Sequence, residues 1–177
     1  MPAFPQYLTL GLGPEIFGID IRHVREILDL CAIAALPQAP PYLVGLIDVR
    51  GEGIPVVDLR LRLGLAPVPA CATTRIIILD VPVDGTPTPV GFVADRVIAV
   101  STLDGEALDP APSVGGRWHA RCLAGVGRKD GAFVIVLAID RLMAQEVRAE
   151  DVAVEDVRAG GVEGARAPAR PPVPAAA

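Results

Sequence analysis

Glycine and proline punctuate this chain and limit what it can build. There are 18 of each among 177 residues. Glycine supplies left-handed backbone at turns, and proline ends helices and interrupts ladders. Such spacing predicts many turns, short strands and few long helices. The longest apolar run, residues 132–139, has the length of a strand. Hydrophobic residues make up 51% and charged residues 21%, so the chain has enough apolar side chains for a substantial core.

The apolar segments order themselves into hairpins. Residues 7–12 and 16–19 read as two strands about Gly13-Pro14. Asp20 fits a helix N-cap, and Ile21, Val24, Ile27 and Leu28 recur at helical spacing, predicting an amphipathic helix of about ten residues. Its polar face would carry Arg22, Arg25 and Glu26. Residues 46–49 and 54–57 form a second hairpin about Arg50-Gly51-Glu52-Gly53, and Asp58 caps a short helix closed by Gly64. Residues 75–81 read as a strand apolar on both faces. Residues 90–100 read as one long or bent strand, and 102–116 as irregular. A third hairpin joins 123–127 to 132–139, and Asp140 caps a last helix running to about Val147.

The two halves echo each other. A Gly–strand–turn–strand–helix unit from Leu43 to Leu59 recurs from Leu123 to Arg141. Two small barrels, one per half and joined near residues 65–75, would account for it; chance likeness between two hairpins is the alternative. Connections this short favour antiparallel barrels or sandwiches over parallel crossovers. The fold class expected is mainly β with a few short helices. Residues 1–147 form the expected domain, 148–158 an exposed extension, and 159–177 a disordered Pro/Ala-rich tail.

Several functions are excluded by residue content. A net charge of −5, one tryptophan, two tyrosines and four phenylalanines argue against a nucleic-acid binder, which needs basic stripes or stacking rings. No apolar run reaches the roughly 20 residues needed to span a bilayer, and the N-terminus carries no signal-peptide pattern. Cys31, Cys71 and Cys122 are widely separated and read as reduced thiols of a cytosolic protein. His119 and Cys122 make a lone pair of soft ligands, too few for a metal site. Cys122 beside Arg121 reads as a half-buried thiol before it reads as a nucleophile. Neither Ser101 nor Ser113 sits in a nucleophile elbow. Gly11 and Gly13 begin a dinucleotide fingerprint whose third glycine is missing, and no Walker pattern is present. No enzyme, metal or cofactor is expected. Partner binding through edge strands and exposed apolar residues fits better, with a small-molecule-sensing barrel as the competing reading.

A run of residues then narrows the choice. Phe17-Gly18-Ile19-Asp20-Ile21, Val24-x-Glu26-Ile27, Leu36-Pro37, residues 45–51 (GLIDVRG) and 54–59 (IPVVDL) follow one another in order. Residues 91–97 (GFVADRV), Leu123-Ala-Gly125 and 134–142 continue it. This series resembles the CheW family of chemotaxis coupling proteins, over about residues 5–147. The resemblance implies two intertwined five-stranded SH3-like β-barrels and no catalysis. It also implies a cytoplasmic adaptor recruited to receptor arrays. Such an adaptor couples the tips of methyl-accepting chemoreceptors to the regulatory domain of the histidine kinase CheA. The corresponding module of a non-flagellar system, for pilus or gliding motility, is the alternative.

Residue by residue, Arg50 and Gly51 match the family's receptor-binding turn. Val24, Glu26 and Gly45 match positions implicated mainly in kinase binding. Val24 also reads as a core residue, Glu26 as a solvated charge, and Gly45 as a site of close backbone approach. The family's usual Asn is Asp48 here, which would place a carboxylate beside Arg50 as a local ion-pair partner. Residues 113–122, with the single tryptophan Trp118, match the family poorly.

Overall fold

A computed structural model describes residues 4–112 and 120–144. The first hairpin joins β1 (Gln6–Leu12) to β2 (Glu15–Asp20). One 3-10 turn, Ile21–His23, leads to β3 (Val24–Asp29). The second hairpin joins β4 (Leu43–Val49) to β5 (Glu52–Asp58), and α1 (Leu59–Arg62) follows at once. The third joins β6 (Arg75–Val83) to β7 (Thr86–Ala94). Then come β8 (Arg96–Thr102), β9 (Asp104–Asp109) and a last hairpin of β10 (Leu123–Lys129) and β11 (Ala132–Leu137), closed by α2 (Ile139–Met143). The β4–β5 and β10–β11 turns share one geometry. Arg50 (φ 53°) with Gly51 (φ 85°) and Asp130 (φ 50°) with Gly131 (φ 81°) place two successive residues in left-handed backbone, which matches the twist of a tight hairpin.

The strands form two sheets that exchange chain. One has the order β8-β1-β2-β11-β10-β9, the other β3-β6-β7-β5-β4. The first sheet thus takes β1 and β2 from the first half and the rest from the second, while the second takes β3, β4 and β5 from the first half and β6 and β7 from the second. Each sheet curls closed by the same device. β8 leaves the edge at β1, turns a corner at Leu103 and returns as β9 against β10, where Asp109 faces Val126. β3 leaves the edge at β6, and the chain beyond it returns at Ala34 against Leu46 of β4. Counted through their corners, β8–β9 and β3–Ala34 each act as one bent strand, so both barrels are five-stranded and SH3-like.

The echo between halves is a structural repeat. β4 and β10 have the same burial pattern, and Leu46 and Val126 meet the closing strand at equivalent places. The Asp58 N–H donates to the Tyr42 carbonyl (2.7 Å), as the Ala138 N–H donates to the Cys122 carbonyl (2.8 Å). In each half a parallel pairing follows, β5 with β7 and β11 with β2.

The core explains the apolar β6. Ile77, Leu79 and Val81 turn to one side and join Leu8, Leu10, Phe17 and Phe92 in a cluster shared by both barrels. Ile76 and Ile78 turn to the other and fill their own barrel with Ile47, Ile54 and Val56. A strand buried on both faces needs apolar residues at every position.

Five expectations need correction, the first being one barrel per half: each barrel draws strands from both halves. The helix expected from Asp20 onward is one 3-10 turn and a strand, because residues 24–29 pair with the β6 edge. Residues 90–100 are two strands in different sheets, divided at Asp95. The region taken as irregular contains β9, the closing strand of its barrel. The last helix starts at Ile139 after Ala138, so Asp140 lies in the first turn and does not cap it. Asp58 does cap α1, accepting from the Arg60 and Leu61 N–H groups. Ser113, Trp118, His119, Val147, the extension and the tail lie outside the described residues.

Candidate functional site

Arg50 stands on the tip of the β4–β5 hairpin. Its Nη1 and Nη2 donate to Glu26 Oε1 and Oε2 at 3.2 and 2.9 Å, a bidentate pair across 24 residues of sequence. Planar guanidinium and carboxylate match in this fork geometry. Glu26 sits on β3, opposite Ile78, with its side chain 20% exposed, whereas Arg50 is 79% exposed. The strand geometry puts Glu26 on the half-buried side with Val24 and Leu28, and turns Arg25, Ile27 and Asp29 outward. Arg22 and Arg25 stay exposed, as a helix would also have them, while Glu26 and Ile27 change sides.

Asp48 does not pair with Arg50. Its Oδ1 accepts the Gly51 N–H at 2.7 Å and so braces the turn. An asparagine oxygen at that position would accept the same bond. Gly51 has open space about it but needs its left-handed φ of 85°. Gly45 is confined instead: a Cβ there would lie 2.1 Å from the Ala34 carbonyl oxygen. Gly45 therefore permits the closing contact of its barrel, where the Leu46 N–H donates to that same carbonyl at 2.8 Å. Val24 is half-buried against the shared core. Arg50, Gly51 and Glu26 come together at the surface; Val24 and Gly45 act on the scaffold beneath.

Apolar surface was missed by sequence reasoning. A groove of about 210 Å³ on this barrel is lined by Leu30, Ile33, Val44 and Val68, with Leu30, Val44 and Val68 exposed. A second, of about 400 Å³ on the other barrel, is lined by Leu123, Val126, Ile135 and Phe133. Phe133 is 60% exposed, and the Arg128 guanidinium stacks 4.5 Å from its ring centre. Strand alternation across the hairpin, which sets Phe133 opposite Arg128, is the signal that would have found it.

The thiols differ in character. Thr73 and Thr74 hydroxyls beside exposed Cys71 lower its pKa to about 7, with Thr73 the larger influence. Burial pushes the Cys122 thiol up. No cluster of three or more His, Cys, Asp or Glu suited to a metal occurs among the described residues. None of their helices is long and apolar enough to cross a membrane.

Residues 6–147 match the CheW-like domain model. The chain belongs to the CheW family. Among its relatives, "Chemotaxis protein CheW" of Klebsiella aerogenes is 29% identical over 141 residues, covering 80% of this chain and 82% of that protein. "Protein FrzA" of Myxococcus xanthus is 29% identical over 126 residues, covering 71% and 76%. The crystal structure of the scaffolding protein TtCheW from Thermoanaerobacter tengcongensis superposes with a TM-score of 0.71 at 27% identity, covering 80% of this chain and 89% of that one. The CheW fold therefore accounts for both interleaved barrels, and the Arg50 turn lies on the barrel built from β3 to β7.

Proposed function

We propose that the chain is a non-catalytic adaptor coupling the cytoplasmic tips of methyl-accepting chemoreceptors to the regulatory domain of a CheA-type histidine kinase. It works in the cytoplasm, at membrane-associated arrays. The observation that carries this reading is the Arg50–Glu26 pair. It joins the matched receptor position to a matched kinase position through one shared interaction. Arg50 is exposed enough to donate to a receptor carboxylate or to helix-end carbonyls. A receptor that takes Arg50 releases Glu26, so the two binding events influence each other. Val24 and Gly45 support kinase binding by holding β3 and β4 in place. Residues 1–147 are the binding domain, with the extension and tail outside it.

A second reading, a coupling module of a non-flagellar chemosensory system, draws on the likeness to "Protein FrzA" of Myxococcus xanthus. Titration calorimetry against a kinase regulatory domain and a receptor-tip fragment tests the main reading. Arg50→Glu is expected to weaken receptor binding and to keep a single cooperative melting transition. A folded variant with parental receptor affinity overturns the role of Arg50. Failure of the parent protein to bind either partner overturns the adaptor.

A further inference from the structure

The chain passes between the two barrels at two crossovers. From β2 to β3 it uses the Ile21–His23 turn, and from β7 to β8 it uses Asp95 alone. The two differ in how they are held. At the first, the Asp20 side chain bonds to Arg22, two residues on, whose side chain is 83% exposed, and the turn's remote polar contact among the described residues is a long one, His23 Nδ1 at 3.4 Å from the Asp80 carbonyl oxygen. At the second, Asp95 is gripped by remote elements. Arg60 of α1 donates through Nε and Nη2 to its two carboxylate oxygens at 2.8 and 2.6 Å. The Gly13 N–H of the β1–β2 turn donates to Oδ2 at 2.7 Å. Arg96, the next residue, returns Nη1 to the Gly13 carbonyl at 2.7 Å. Thr73 Oγ1 donates to the Asp95 carbonyl at 2.9 Å, and Arg60 Nη1 donates to the Ala66 carbonyl at 3.0 Å.

The node therefore binds the β1–β2 turn of one barrel to α1 and the 66–73 loop of the other, at the single residue between them. Arg60 and Asp95 are only 12% and 21% exposed, so water screens the pair little. Helix α1 reaches across a second time, where Arg62 Nε donates to the Leu142 carbonyl of α2 at 2.8 Å. The apolar contact between barrels is a packed cluster without direction. Bidentate bonds and a backbone N–H have fixed directions, and so define an angle.

We propose that Asp95, held by Arg60 and Gly13, is a positioning residue that sets the angle between the two barrels. The adaptor reading above places Arg50, Glu26, Val24 and Gly45 alike on the barrel of β3 to β7, and the angle to the other barrel is a separate property. The angle itself does not depend on that reading.

The test uses double electron–electron resonance. Spin labels are placed at Val83→Cys on β6 and Ala132→Cys on β11, both exposed, in a Cys31→Ser, Cys71→Ser background; buried Cys122 remains in place. The parent is expected to give one narrow distance distribution. Asp95→Ala is expected to broaden it and shift its maximum, Asp95→Asn to broaden it less, since an amide oxygen still accepts from Gly13. Arg22→Ala, at the other crossover, should leave it unchanged. An unaltered distribution in a cooperatively melting Asp95→Ala overturns the proposal; where that variant does not melt cooperatively, an unaltered Asp95→Asn does so. If the parent binds no partner, the adaptor reading fails while the distance measurement still decides the role of Asp95.

Discussion

At the residue scale, exposure decides what each charged pair contributes. The Arg50–Glu26 pair lies mostly in water on the arginine side, where such pairs are worth about 0.2–1 kcal/mol. Arg50→Glu is accordingly expected to change unfolding free energy by no more than about 1 kcal/mol in urea titrations, while its effect on receptor affinity is large. A Glu26→Arg, Arg50→Glu double variant should recover the lost stability. Asp95 behaves differently. The Arg60 guanidinium, aided by the Gly13 N–H, holds its carboxyl below the ordinary carboxylate range. A depressed folded-state pKa adds stability above the unfolded value, and that stability disappears as pH falls through the folded one. Melting temperature should therefore drop on acidification below about pH 4, and Asp95→Asn should flatten that slope. Asp20, lowered by Arg22, contributes in the same direction. The thiols give a third readout. Iodoacetamide should modify Cys71 with a pH midpoint near 7 and leave Cys122 untouched until the protein unfolds, as mapped by peptide mass spectrometry.

At the element scale, the decisive positions are the closing contacts of each barrel. A methyl group on Gly45 would strike the backbone oxygen of Ala34, which cannot move without opening the barrel. Gly45→Ala is expected to cost about 3 kcal/mol in chemical denaturation. Gly125→Ala should behave alike, since its Cβ would lie 2.7 Å from the Asp109 carbonyl oxygen. Gly53→Ala, with open space around it, should be close to neutral. The hairpins were legible because turn and strand signals are local: Arg50-Gly51 and Asp130-Gly131 sit between apolar runs that alternate. The segment after Asp20 was not. Ile21, Val24, Ile27 and Leu28 satisfy a helical period, and only the unpaired edge of β6, some fifty residues later in sequence, draws them into a strand.

At the scale of the whole molecule, exchange of strands makes the halves inseparable. β3 needs β6, and β8 needs β1, while Leu10 and Phe92 share one cluster. Near- and far-ultraviolet dichroism should report one coincident unfolding transition. A fragment of residues 1–70 lacks β6 and β7 and is expected to stay unfolded, judged by amide dispersion in NMR spectra.

The amino-acid order by itself determined the strand-rich class, the hairpins, the α1 cap at Asp58 and the repeat between halves. It also carried the series of motifs that marks the CheW family. Those features depend on neighbours in sequence, through turn backbone, alternation and capping. Only the tertiary structure decided that β3 is a strand, that Asp95 is a crossover held from two sides, and that Arg50 reaches Glu26 while Asp48 braces the turn. Each depends on groups far apart in the chain, whose meeting is set by packing the two barrels on one core.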